Sequence, residues 1–165
     1  MKRLLTLLAA CIAACAATAQ SRIETFTFRS ALLGAEKTCS VYLPAGYDDS
    51  GRSYPVLYLL HGASGYHGDW AEKGNMRQIA DETIAAGTAL PMIVVMPDAS
   101  GTGENYTGDR MGYFDVPGWP YERFFFEEFV PAVERRYRIC GDKARRAISG
   151  LSMGGGGTAV YALRH

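Results

Sequence analysis

Between residues 20 and 165 the apolar positions change period several times, and each change marks a strand or a helix. Ile23 to Phe28 alternates apolar and polar residues, the pattern of a half-buried strand. Lys37 to Leu43 is a second strand, ended by Pro44; with the turn at Gly34 the two predict an antiparallel hairpin. Val56 to Leu60 and Met92 to Met96 are solid apolar runs, the signature of strands covered on both faces. Glu72 to Ala86 has helical spacing, with Met76, Ile79 and Ile84 on or near one face, and stops at Gly87. Asp98 to Pro120 reads as a long loop rich in Gly, Asp and Tyr, a length that is often functional inside a compact domain. Tyr121 to Tyr137 is a helix dense in Phe and Glu, which Pro131 should kink or break. Ala147 to Gly150 is the last strand and Met153 to Leu163 the last helix.

Strands alternating with helices predict an α/β fold: a mostly parallel sheet with helices on both faces and the antiparallel hairpin at its N-terminal edge. Ligands bind such sheets beyond the carboxyl ends of the strands. His61, Gly62, Asp98 and Ser152 all fall just past such ends. At the last of them stands Gly150-Leu151-Ser152-Met153-Gly154, a G-x-S-x-G sequence where a strand turns into a helix. That is the context of a nucleophile elbow. Glycine lacks a Cβ, so the turn can be tight enough to lift the serine hydroxyl clear of the backbone. Gly154 to Gly157 form a run of four glycines. Each costs a helix interior about 1 kcal/mol relative to alanine. The run therefore predicts a helix lying very close to a neighbouring backbone.

Residues 1–19 read as a signal peptide: basic Met1-Lys2-Arg3, apolar Leu4 to Ala14, and an A-x-A site at Ala17-Thr18-Ala19. The apolar stretch is shorter than the roughly 20 residues of a membrane span. Ile12-Ala13-Ala14-Cys15 also resembles a lipobox, so a lipid anchor at Cys15 is the alternative to simple secretion. Residues 20–165 form one domain. The sequence carries 17 basic and 17 acidic residues, and without Lys2 and Arg3 the balance is 15 to 17. No basic excess points to nucleic acid. Cys39 and Cys140 remain, either as a disulfide or as two free thiols.

Tyr54-Pro55-Val56-Leu57-Tyr58-Leu59-Leu60-His61-Gly62, Asp69-Trp70, Met92 to Asp98 and Gly150-Leu151-Ser152-Met153-Gly154-Gly155 together resemble the esterase D-type branch of the α/β-hydrolases. That branch includes feruloyl and acetyl-xylan esterases, tributyrin-type esterases, S-formylglutathione hydrolase and the mycolyltransferases. The resemblance implies a serine ester hydrolase that needs no cofactor and no metal, and the N-terminal signal segment implies that it is exported. Its substrate would be a small or polysaccharide-linked ester. Ser152 would be the nucleophile, and the backbone N–H groups of Met153 and Ala63 would form the oxyanion hole. Substrate contacts are expected from His61 and Gly62 in the oxyanion loop. By composition and position, Tyr106, Tyr113 and Trp119 would line an acyl or aryl pocket.

In the resembled order an acid and then a histidine follow the serine. Only 13 residues follow Ser152, with no Asp or Glu among them. His165 lies about 20 Å along the same helix. His61 belongs to the oxyanion loop, and His67 reads as a loop histidine. The expectation is the N-terminal portion of a longer esterase, marginally stable and essentially inactive by itself. Two alternatives stand beside it: a non-catalytic hydrolase-like protein that binds a glycan or a partner, and a truncated gene product.

Overall fold

A computed structural model describes residues 20–101 and 112–165. The hairpin comes first: β1 (Arg22–Arg29) pairs antiparallel with β2 (Glu36–Leu43), from Arg22 opposite Leu43 to Arg29 opposite Glu36. A short α1 (Tyr47–Ser50) leads to β3 (Val56–Leu60), followed by α2 (Asp69–Glu72), α3 (Met76–Ala85) and β4 (Ile93–Pro97). A small hairpin, β5 (Asp115–Val116) and β6 (Trp119–Pro120), precedes a helical stretch. The stretch runs through α4 (Tyr121–Phe124), a π-helical turn (Phe125–Phe129) and α5 (Val130–Arg136). After a 3-10 turn (Lys143–Arg145) come β7 (Arg146–Gly150) and α6 (Met153–Arg164).

The five-stranded sheet has the order β1-β2-β4-β3-β7, with β3, β4 and β7 parallel and β2 antiparallel to β4. Successive residues of a strand point to opposite faces, and here both faces are apolar. Val56, Tyr58 and Leu60 of β3, with Ile93 and Val95 of β4, face a core closed by Phe124, Phe125, Phe129 and Tyr161. Leu57 and Leu59, with Val94 and Met96, face a second cluster closed by Trp70, Met76, Ala80 and Ile84. Both faces therefore carry helices, as expected. Cys39 and Cys140 are free thiols. Burial pushes the Cys39 thiol up to about 12, which leaves it inert.

Two expectations need correction. The helix predicted over 72–86 begins only at Met76: α3 takes 76–85, and Glu72 ends the separate short α2. Trp70 sends its indole N–H to the Leu60 carbonyl (3.2 Å). A Cβ on Gly74 would stand 2.8 Å from the Trp70 carbonyl oxygen, and Asn75 turns left-handed at φ 46°. The buried stripe of α3 is then Met76, Ala80 and Ile84, and Ile79 is 54% exposed. Second, the 98–120 segment is not wholly irregular: Gly118, at φ 77°, turns the β5–β6 hairpin. Pro131 marks a change of helix as expected: it stands in the first turn of α5, directly after the π turn. A proline has no N–H and crowds the carbonyl four residues back. The chain widens into a π turn just before it, where the Val130 N–H reaches the Phe125 carbonyl. The turn carries Glu128, whose carboxylate accepts the N–H groups of Ala31 and Leu32 (3.1 Å each) and the Ser30 hydroxyl.

The glycine run has two kinds of member. A Cβ on Gly154 would stand 2.6 Å from the Leu60 carbonyl oxygen and 2.7 Å from that of His61. On Gly157 it would meet the Tyr113 Cβ at 2.9 Å. At Gly156 the nearest atom would be Phe114 Cζ at 3.9 Å, an ordinary contact. Urea denaturation should separate them. Gly154→Ala is expected to lose about 3 kcal/mol, because backbone cannot make room. Gly156→Ala should gain about 1 kcal/mol from helix propensity. Equal effects at the two positions would contradict this packing.

Candidate active site

Leu60 of β3 stands opposite Gly150 of β7, so the segments 61–63 and 151–153 leave the sheet side by side. Gly150 has no room for a side chain: a Cβ would lie 2.5 Å from the Gly154 carbonyl carbon and 2.8 Å from Leu60 Cβ. Between these two glycines the chain reverses over Leu151 and Ser152. Ser152 takes φ 52° and ψ −111°, a conformation that costs a non-glycine residue about 1–3 kcal/mol. It occupies the N-cap position of α6, where a serine side chain commonly binds the helix's first amides. Here it makes no such cap bond, and the residue is exposed. The first-turn amides of a helix lack intrahelical acceptors and carry partial positive charge. The Met153 N–H is one of them.

The other wall is the loop after β3. Three consecutive carbonyls are held there. Leu60 O accepts the Trp70 indole and the Leu151 N–H (3.2 Å each). His61 O accepts the Tyr113 phenol (3.1 Å). Gly62 O accepts from His61 Nδ1 (2.8 Å) and from the Gly65 N–H (3.2 Å). The peptides are trans, so the N–H of residue 63 points opposite to the Gly62 carbonyl and away from the His61 ring. Gly62 itself lies beside Leu151, whose carbonyl oxygen would be 3.6 Å from an added Cβ.

The His61 tautomer follows from its partners. Nε2 accepts the Ala99 N–H (2.9 Å), so the proton sits on Nδ1 and goes to Gly62. Desolvation holds this imidazole below its ordinary range; the bond to Gly62 and the charges of Asp98 and Asp69 oppose the shift, and Lys37 adds to it. Beneath it lies a group with no part in the sequence-based picture. Lys37 of β2 is 4% exposed and donates to the Ser100 carbonyl at 2.8 Å. Its ammonium is 3.7 Å from Asp98 Oδ1 and 5.5 Å from the centre of the Trp119 ring. Burial lowers its affinity for a proton and Asp98 raises it. Strand parity was the available signal, since Lys37 shares its face with the buried Cys39, Val41 and Leu43.

The structure relocates three of the residues expected to touch substrate. His61 is 1% exposed with both ring nitrogens engaged, so it supports the loop from beneath. Tyr113 and Trp119 are equally buried. Gly62 stays at the rim, half-buried beside Leu151. Tyr106 lies outside the described residues. Exposed apolar side chains do flank Ser152 on its own turn and nearby: Leu151 is exposed, and so is Phe114, which overlies Gly156. The other two histidines are also engaged. His67 Nδ1 bonds the Ser40 hydroxyl at 2.8 Å. His165 pairs with Glu122 (3.2 Å) and stacks on Phe126 at the far end of α6. None of the three is bonded to Ser152.

The model of the family described as "Putative esterase" matches residues 30–165. The chain belongs to this esterase family. Its fold is that of the α/β-hydrolase esterases. One family relative, an endo-1,4-beta-xylanase/feruloyl esterase of Xylanibacter ruminicola, is 36% identical over 146 residues, covering 86% of this chain and 20% of the relative. Esterase Rv1288 of Mycobacterium tuberculosis is 31% identical over 144 residues, covering 87% of this chain and 30% of the relative. A solved structure named as a ferulic acid esterase is 44% identical with a TM-score of 0.83, covering 88% of this chain and 55% of that one. The chain thus spans about half of that structure and less than a third of the two sequence relatives.

One buried histidine, His61, and one half-buried histidine, His67, make stability sensitive to acid. Desolvation lowers the proton affinity of His67 as it does that of His61. Below the unfolded value of 6.5 the unfolded chain therefore binds more protons than the folded one. Their contribution is full above that pH and is lost as pH falls through the folded values. Urea midpoints should be flat from pH 7 to 8 and drop below pH about 6.5. His61→Gln should reduce that slope. An unchanged slope would show that His61 does not titrate as its burial requires.

Proposed function

We propose that this chain is the nucleophile-bearing part of an exported carboxylic-ester hydrolase that works through an acyl-enzyme on Ser152. The observation that carries the reading is the strained, uncapped Ser152 beside the loop that bears Ala63. Attack of the hydroxyl on an ester carbonyl builds negative charge on the carbonyl oxygen. The N–H groups of Met153 and Ala63 are the donors proposed to hold it, each typically worth about 3–4 kcal/mol of barrier. Both are neutral backbone groups, so they need no titratable side chain and their donor dipoles do not change with pH. The esterase relatives support this chemistry, and the names of two of them point to feruloyl esters. The substrate class we favour is therefore an aromatic acyl ester, carried by a plant polysaccharide or a similar alcohol. Leu151 and Phe114 offer apolar surface for the acyl group.

Export rests on the N-terminal segment 1–19, which lies outside the described residues. Among the described residues no helix is long and apolar enough to cross a membrane. The proton acceptor of Ser152 is proposed to come from outside these 165 residues, because each of their three histidines holds another partner. That engagement also favours the second reading, a non-catalytic module binding a glycan or a partner. Against it stands the strain at Ser152. Asn75 shows that positive φ alone serves a plain turn, but Ser152 combines φ 52° with ψ −111°, outside the left-handed helical region, and a glycine there would relieve it.

Hydrolysis of p-nitrophenyl acetate by the 165-residue chain separates these readings. The chain alone should be slow, because a serine without a base is a poor nucleophile. Imidazole added to the solution should raise a component that Ser152→Ala abolishes. If Ser152→Ala leaves that component intact, Ser152 is not the nucleophile. Turnover without imidazole at roughly 10 per second, the ordinary enzyme rate, would refute an external base.

A further inference from the structure

Tyr113 was expected to line a pocket, yet its position in the fold gives it a different task. Its side chain is fully buried between the nucleophile helix and the loop after β3. On one side Gly157 of α6 lies so close that a Cβ would stand 2.9 Å from Tyr113 Cβ. The Tyr161 hydroxyl, also on α6, donates to the Tyr113 carbonyl. On the other side the Tyr113 ring stands 5.7 Å from the His61 ring and its hydroxyl donates to the His61 carbonyl (3.1 Å). The edge of the ring is closed by Tyr121 at 5.6 Å. The chain entering Tyr113 is fixed as well, since the Gly112 N–H bonds the Ala99 carbonyl (2.9 Å) and the Ala99 N–H bonds His61 Nε2 (2.9 Å).

These bonds form one path: Tyr161, Tyr113, the His61 carbonyl, the His61 ring, the Gly62 carbonyl, and then the N–H of residue 63. The His61 carbonyl has no other bond holding it among the described residues, and it is the hinge of that path. Fixing it fixes the His61–Gly62 peptide and the residue whose ring holds the Gly62 carbonyl, the acceptor that the N–H of residue 63 opposes. We propose that Tyr113 is a positioning residue: its phenol, by holding the His61 carbonyl, sets the direction in which the Ala63 amide meets an oxygen bound on Ser152. The proposal rests on the reading of Ser152 as nucleophile. It also gives the buried Tyr113–Tyr161 pair a purpose beyond packing, because it ties the helix carrying one oxyanion donor to the loop carrying the other.

The test uses the ¹⁵N-labelled chain, a fluorophosphonate, and imidazole in solution as proton acceptor. Peptide mass identifies the adduct on Ser152, and NMR follows the Ala63 and Met153 amides. In the unsubstituted chain both amide protons should move downfield as the phosphonyl oxygen settles between them. In Tyr113→Phe the Met153 amide should keep its shift while the Ala63 amide loses most of its own. Labelling should slow by up to about a hundredfold, the scale expected for a group misplaced by about 1 Å. A general loosening of the core would move both amides alike, so the asymmetry distinguishes positioning from packing. An Ala63 shift in Tyr113→Phe equal to that of the unsubstituted chain overturns the proposal. So does an adduct on Ser152 that leaves Ala63 unmoved before any substitution. Absence of any adduct on Ser152 defeats the esterase reading first and the proposal with it. Should Tyr113→Phe give a collapsed spectrum, Tyr161→Phe is read in its place; it is expected to weaken the Ala63 shift alone, and an unweakened shift overturns the proposal.

Discussion

Gly154 passes the end of β3 so closely that one added carbon would stand 2.6 Å from the Leu60 carbonyl oxygen. Much of the rest depends on this approach. It brings the first turn of α6 against the loop after β3. With the register of Leu60 against Gly150, it sets the amides of 63 and 153 on neighbouring turns. Gly150 is the second half of the same constraint, since its own missing Cβ leaves room for the Gly154 peptide. The two glycines flanking Ser152 are therefore packing requirements, and the serine between them absorbs the strain at φ 52°. Such strain persists only where the surroundings over-determine the backbone. Here they consist of two close backbone contacts and a bond from the Leu151 N–H to Leu60 O.

A second constraint is polar. A buried carbonyl without a partner is costly. At the end of β3 three in a row are met by groups from α2, the 112–113 segment, the loop itself and the turn after β7. Since every carbonyl is directed inward, the following N–H is directed outward. The loop is therefore pre-organised by its acceptors, although the function proposed for it belongs to a donor. Lys37 extends this logic one layer down. Its ammonium holds the Ser100 carbonyl beside Asp98, and Ala99 between them supplies the N–H that fixes the His61 tautomer. An exposed lysine could not do this, because water would compete for each bond.

Most of the strands were legible in the residue pattern. β3 spans the predicted Val56 to Leu60, and β4 is shifted by a single residue, because solid apolar runs leave a doubly covered strand little choice. The glycine run announced a close approach, and Gly154 makes one. Other features failed for identifiable reasons. The break after α2 comes from Trp70 reaching the sheet, a tertiary contact that no helical periodicity encodes. The aromatic residues of 112–120 looked like a pocket lining because the segment read as a loop. Gly157 admits Tyr113 beneath α6 instead, and the Pro117–Gly118 turn folds Trp119 inward. Lys37 went unnoticed because a charge in an alternating strand is read as facing water, although its parity placed it inside.

The strained turn at Ser152 and the inward carbonyls after β3 are proposed to aim two amides at one point. A crystal structure of the chain with a phosphonate bonded to Ser152 tests it most directly. The phosphonyl oxygen should lie about 2.7–3.1 Å from the nitrogens of both Ala63 and Met153, the range for such donors. An adduct whose oxygen faces solvent, or reaches only one of the two, would contradict it.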